Sequence, residues 1–420
     1  MKPNTNAGSA HGDTLETPRF LVIQNGARHN YAIPSAFQRA GALSDLYTDF
    51  TATQGLGSLL ARFGSERGRI SPALSRRTPP AEIANAVRTS EVAFLAGQAM
   101  NAFFPWANGG ERATRLSRNL AEQTMLLRGT GEATHVYTML GEGGRFVRHA
   151  QEKGLGVVGD VYIALSADAI VADESLRFPD WSDQDTSKLS MVHEEKKNQV
   201  LLENSDLLVC PSAFVRDDLI ANHGVDASRT CVIPYAVSPA WLSLDLAPET
   251  GRVLFAGSAT LRKGIHYLAM AATQLKGSCE VVVAGGASEK VRAHPVAKDL
   301  VFLGHLSKSD MAAEFARADV FVFPSLAEGA ASVTAEALGA GVPVVTTKAA
   351  GSIVRHGVDG IVVPERDPEA LVEAVRSIVE DRDMRAAMSR AARERAQEFT
   401  WDSFAQHVIE ETHQMSGDKL

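Results

Sequence analysis

Short, uninterrupted apolar runs recur along this chain, and they restrict its fold more than any other feature. In the second half they are RVLFAGS (252–258), CEVVVAG (279–285), LVFLGH (300–305), DVFVFPS (319–325), PVVTT (343–347) and GIVVP (360–364). In the first half they are RFLVIQ (19–24), HVYTML (135–140), GVVGDVYIA (156–164), DLLVCPS (206–212) and RTCVIPYAV (229–237). A strand with one wet face alternates polar and apolar residues, whereas a parallel strand covered on both faces reads as a continuous apolar run. Helical stretches separate the runs, so the expected class is α/β, built from parallel sheets flanked by helices. At 420 residues the chain is too long for one ordinary core. Two Rossmann-like doubly wound domains are expected, joined near LAPETG (246–251).

The expected organisation is a polar tail over 1–17, a first domain over 18–246, a second over 251–398 and a final helix over 399–420. Residues 50–130 break the strand–helix rhythm and read as a mostly helical elaboration of the first domain. That stretch holds Arg62, Arg67, Arg69, Arg76 and Arg77, then the apolar-aromatic run FLAGQAMNAFFPWA (94–107). It reads either as helix packed on the domain or as a peripheral surface for a membrane face or an anionic acceptor. The first 17 residues lack the apolar core of a signal peptide, and no run approaches the length of a membrane span. The net charge of −8 offers no global positive field to collect a polyanion, which argues against nucleic acid as a partner. Cys210, Cys231 and Cys279 show no metal-ligand spacing and read as free thiols in a reducing, cytoplasmic setting.

The stretch FPSLAEGAASVTAEALGAGVPVV (323–345) carries the chemistry. It places two carboxylates, Glu328 and Glu336, in a run otherwise small or apolar, spanning a buried strand end, a tight loop and a helix. Ligands of such sheets sit at the carboxyl ends of the strands. The helix that begins near Ala331 aims unpaired backbone N–H groups there, which favours a phosphate. The small residues Gly329, Ala330, Ala331 and Ser332 allow close approach of the ligand to the backbone. Carboxylates on either side of a diphosphate suit the hydroxyl pairs of a sugar and of a ribose, the two ends of a nucleotide-sugar. The counter-charge is found in AGSATLRKG (256–264), where Arg262 and Lys263 stand at the next loop-to-helix junction. Cations at a helix start oppose its dipole and so ask for an anion.

These residues resemble the donor-binding domain of the retaining GT-B glycosyltransferases of family 4. The resemblance runs over roughly residues 204–402, through AGSATLRKG, FLGH, DVFVFPSLAEG, AEALGAGVPVV, GVDGIVVP and FTW in order. It is weaker in the first half, through ENSDLLVCPSAFVRDDL and VIPYAV. The resemblance implies two domains facing each other across a cleft, with the second holding a nucleoside-diphosphate sugar (UDP or GDP) and the first an acceptor. That acceptor would be a glycan, a lipid-linked precursor or a small molecule. It also implies Glu328 on the donor sugar, Glu336 on the ribose, Lys263 and Arg262 on the diphosphate, Gly257 and Ser258 beside it, and His305 and Leu306 bordering the base. The final helix would cross back onto the first domain, and the transfer would need no metal or other cofactor. It would be a same-face attack, with the leaving phosphate assisting deprotonation of the acceptor. Two positions depart from the pattern. Ala330 and Ala331 stand where relatives often have Phe-Gly, and Ser258 stands where many have Arg.

In the first domain, relatives often carry a His at a strand end, where GLGVVGDVYIA offers Asp160 instead; His135 reads as structural. The loops NGARHNY (25–31) and GEGGR (141–145) follow strands, and Gly26 and Arg28 are the expected ligand contacts. Asp183 and Asp185 spell an Asp-X-Asp pair but sit just before a helical segment, where Asp serves as a cap. No GxGxxG or GxxxxGK[ST] turn follows a strand, which argues against a nicotinamide enzyme or a P-loop protein. The remaining rival is a non-catalytic nucleotide-sugar-binding partner subunit.

Overall fold

The structure is a computed structural model and describes residues 17–66, 76–103, 109–182 and 191–417. Strands β1 (Phe20–Ile23), β2 (Leu43–Thr48), β3 (Val87–Thr89), β4 (His135–Met139), β5 (Gly156–Asp160), β6 (Leu207–Cys210) and β7 (Thr230–Val232) form a seven-stranded sheet. Its order is β3-β2-β1-β4-β5-β6-β7. Strands β8 (Arg252–Ala256), β9 (Glu280–Ala284), β10 (Leu300–Gly304), β11 (Val320–Phe323), β12 (Val344–Thr347) and β13 (Gly360–Val363) form a six-stranded sheet in the order β10-β9-β8-β11-β12-β13. Neighbouring strands pair parallel throughout both sheets. Winding reverses between β1 and β4 in the first sheet and between β8 and β11 in the second, so each has a crevice at the carboxyl ends of those strands.

All six second-half runs become strands; β8, β9, β11 and β12 are buried along nearly their whole length, while the edge strands β10 and β13 are partly exposed. The first sheet adds two strands that the apolar runs do not announce. LSDLYT forms β2 with Ser44 and Asp45 half-buried, and VRT forms the three-residue edge strand β3. The stretch around 50–130 is otherwise helical where it is described, and its helices Glu91–Phe103 and Gly109–Arg128 pack on each other. Arg77 is paired with Asp49 at 2.8 Å and lies over Phe94, while Arg67 and Arg69 fall outside the described residues. Among the described residues no helix is long and apolar enough to cross a membrane.

Two segments cross between the halves in opposite senses. The helix Trp401–Gly417 lays Phe404, Ala405, Val408 and Ile409 into the core of the first sheet. The helix Ala167–Arg177 and the turn Pro179–Trp181 leave the first half and bury Trp181 in the core of the second, with Ile170 and Phe178 packed beside it.

Candidate functional site

The carboxyl ends of β8 and β11 build one electrostatic unit. After β8 the chain turns at Gly257 and reaches the short turn Leu261–Lys263, which closes on Gly264 at φ +69°. A Cβ on Gly264 would lie 2.0 Å from the Pro324 carbonyl, so only glycine lets the loop after β11 settle there. The Ser325 hydroxyl and the Leu326 N–H both donate to the Arg262 carbonyl, at 2.9 and 2.8 Å. This stitching brings Glu328 between the two cations: Arg262 Nη1 is 2.7 Å from one carboxylate oxygen and Lys263 Nζ 2.9 Å from the other. Lys263 also rests 4.7 Å above the Phe323 ring.

Helix Ser332–Ala340 starts immediately beyond, and no side chain caps its N-terminus. The Thr334 N–H turns back to the Ala331 carbonyl at 2.9 Å, which leaves the N–H groups of Ser332 and Val333 as the uncapped donors of the first turn. Glu336 stands one turn inside. Burial lifts its carboxyl to about 7, with Lys308 pulling the other way, and it makes no hydrogen bond or ion pair among the described residues. Ser258 after β8 and His305 after β10 are exposed at strand ends separated by β9, and Leu306 packs against the core.

The two halves meet at this loop. A Cβ on Gly329 would sit 1.7 Å from the Tyr162 carbonyl, and the Ser212 hydroxyl donates to the Gly329 carbonyl at 2.5 Å. A cavity of about 340 Å³ lies between them, walled by Arg28, Tyr162 and Tyr235 on one side and Ala330, Ala331 and Ser332 on the other. Arg28 stacks 4.6 Å over the Tyr162 ring. It is presented by a loop in which His29, Asn30 and Tyr31 all take positive φ, at 48°, 53° and 62°. Such conformations are costly for non-glycine residues and gather at ligand sites. Gly26 in the same loop gives its N–H to Asp49 at 2.9 Å and does not wall that cavity. Burial and the neighbouring Arg28 push His29 down to about 4, so it is a neutral imidazole against Tyr235 and Trp401.

The structure does not bring Asp160 to the cleft. It is fully buried, its two oxygens accept from the Tyr137 and Tyr235 hydroxyls at 2.7 Å each, and burial raises it to about 6. Its reach to the cavity is through Tyr235. His135 shares a hydrogen bond with Thr134 and packs on Phe20. Asp183 and Asp185 lie outside the described residues, and among the described residues no His, Cys, Asp and Glu cluster could hold a metal.

Sequence reasoning missed Tyr162, Tyr235 and Glu142. A second cavity of about 980 Å³ opens in the first half under helices Glu91–Phe103 and Gly109–Arg128, and it shares Arg28 and Tyr162 with the first. Glu142 lies on its wall, accepting the Asn25 N–H at 2.9 Å with Arg28 Nε 3.5 Å away; burial lifts its carboxyl to about 7. The only signal for it was that GEGGR follows a strand.

Residues 243–395 match the family model described as Glycosyl transferases group 1. The glycogen synthase of Mycobacterium tuberculosis is 30% identical over 220 residues, 49% of this chain and 53% of that protein. The D-inositol 3-phosphate glycosyltransferase of Xylanimonas cellulosilytica is 29% identical over 237 residues, 49% of this chain and 56% of that protein. The chain thus spans about half the length of the curated relatives it matches. Among solved structures, Anabaena Alr3699/HepE in complex with UDP-glucose superposes with a TM-score of 0.57 at 16% identity, over 94% of this chain and 99% of that one. That likeness identifies the two-sheet arrangement as the GT-B fold.

Proposed function

From the premise that the second half of this chain is a glycosyl transferases group 1 domain on a GT-B frame, we propose that the protein is a retaining glycosyltransferase. It moves a sugar from a nucleoside-diphosphate sugar, carrying UDP or GDP, to an acceptor held by the first half, without a metal. One observation carries this reading. An uncapped helix start and two cations paired with Glu328 stand at one sheet edge, and Glu336 one turn into the helix makes no hydrogen bond or ion pair among the described residues. A diphosphate supplies the anion that the helix start lacks and a second partner for the cations beside Glu328, and a ribose supplies the donors that Glu336 lacks.

In this reading Lys263, Arg262 and the N–H groups after Ala331 take the charge that grows on the departing diphosphate. Glu328 holds the donor-sugar hydroxyls, fixed in place by both cations. Gly257 and Ser258 flank the diphosphate, and His305 and Leu306 border the base. As the anomeric carbon–oxygen bond breaks, its electron pair stays on the diphosphate. The acceptor hydroxyl attacks from the same face and gives its proton to that leaving oxygen. Asp160 acts as a positioning residue by anchoring Tyr235. The name of the Anabaena structure, a UDP-glucose complex, supports a uridine donor.

A calorimetric panel of UDP, GDP, ADP, dTDP and their common sugars, on wild type and Glu336→Ala, tests the reading. One nucleotide is expected to bind, and the variant to bind it about tenfold or more weakly, as for loss of hydrogen bonds to a charged group. If no nucleotide binds the wild type, the donor site does not exist. If one binds without turnover of its sugar, the chain is a binding partner and not the enzyme.

A further inference from the structure

The reading above leaves the acceptor's chemistry open, and the 980 Å³ cavity of the first half constrains it. Its walls carry many neutral hydrogen-bonding side chains, among them Gln98, Asn101, Ser117, Asn198 and Gln199. Its charged side chains are balanced. Asp49 is paired with Arg77, Glu122 with Arg145, and Glu142 with Arg28, at 2.8, 2.9 and 3.5 Å. Beyond these pairs and His223, the wall holds Arg118 and Asp168, one of each sign. A phosphorylated acceptor needs a surplus of cation, and among the described residues this cavity has none. A polyol needs amides, hydroxyls and a carboxylate within a space of several hundred Å³, which is what the wall provides.

Within that wall Glu142 has a distinct place. It stands beside Arg28, one of the residues shared with the smaller cavity between the halves. One of its oxygens accepts the Asn25 N–H, and the other faces Arg28 at the long distance of 3.5 Å, so the carboxylate keeps capacity for another donor. Resting on the glycosyltransferase reading, we propose that the acceptor is a neutral polyhydroxylated compound, a glycan end or a polyol, and that Glu142 accepts from a hydroxyl beside the one that is glycosylated. The elevated carboxyl, raised by burial and held back by Arg28 and Asn25, agrees with a site that waits for a donor of hydrogen bonds.

The test is ligand-observed NMR without donor, using maltose and inositol as neutral probes and glucose 6-phosphate and inositol phosphate as charged ones. Neutral probes are expected to bind the wild type, and to bind Glu142→Gln about tenfold more weakly, the difference between a charge-assisted and a neutral hydrogen bond. The glutamine oxygen still accepts from Asn25, and the variant's melting temperature reports separately on the lost ion pair with Arg28. Gln98→Ala, at an exposed helix position, is expected to weaken the same probes a few-fold with the melting temperature unchanged. Preference for the phosphorylated probes, no binding of the neutral ones, or equal binding by Glu142→Gln overturns the proposal. The donor titration described above separates the two readings, because failure of nucleotide binding strikes the second half alone while the cavity is measured on its own.

Discussion

In the proposed donor site, the ribose-binding role of Glu336 works against the fold's own stability. Its carboxyl is raised from 4.5 to about 7 because burial penalises the charge. Two signs follow. Ribose hydroxyls bind the carboxylate, so donor affinity should fall as pH drops below about 7, by up to tenfold per unit, and Glu336→Gln should flatten that slope. Stability runs the other way. A carboxyl whose folded value lies above its unfolded one contributes stability below about 4.5, and that contribution is lost as pH rises through 7. Glu336→Gln should therefore melt a few degrees higher than wild type at pH 8 and not at pH 5, by calorimetry. An equal melting shift at both pH values would refute the assignment. The positions of Glu328, Glu336 and Lys263 in the fold were legible from sequence because a strand, a loop and a helix fix where they stand. Tyr162, Tyr235 and Glu142 were not, since each matters only through what the other half or a distant loop brings against it.

At the level of elements, the continuous apolar runs mark all six strands of the second sheet, whose inner four strands are buried along nearly their whole length. They missed β2 and β3, one polar on part of its length and the other three residues long at an edge. Asp160 illustrates the same limit: a lone carboxyl in an apolar strand signals either an active edge or a tyrosine clamp, and only the packing of Tyr137 and Tyr235 decides which it forms here. The loop Glu328–Ala331 is where two elements touch with no side chain to spare. Gly329→Ala would push a methyl into the Tyr162 carbonyl, 1.7 Å from the ideal Cβ position, and break the Ser212 contact. The loop must then part from the first half. Misplacement of this order typically lowers transfer rates about 10²-fold, so kcat/KM for transfer should fall by that factor. Retention of full activity would mean that this contact is not part of the working geometry.

For the whole molecule, the question is what makes two separately wound sheets behave as one body. The chain answers it with a buried carboxylate. Glu174, on the segment that leaves the first half, is fully buried; one oxygen accepts from Tyr267 at 2.5 Å and His266 at 2.9 Å, and the other from Arg366 at 2.7 Å. Burial alone would raise its carboxyl, but the hydrogen bonds from His266, Tyr267 and Arg366 together outweigh it and hold it at about 2. Arg366 keeps a positive φ of 64° at this contact. Removing the carboxylate takes the acceptor from the buried His266 and Tyr267 and leaves Arg366 with Asp173 alone, a loss of about 3–5 kcal/mol for a broken buried pair. Because that loss falls between the halves, Glu174→Ala should split one calorimetric unfolding transition into two. The linkage has the opposite sign from Glu336: a carboxyl held below its unfolded value contributes above about 4.5, and the contribution fades as pH falls toward 2. Wild type near pH 3 should then approach the variant's two-step unfolding. A single transition in Glu174→Ala at neutral pH would assign the coupling instead to the apolar anchors, Trp181 in one direction and Phe404 with Val408 in the other.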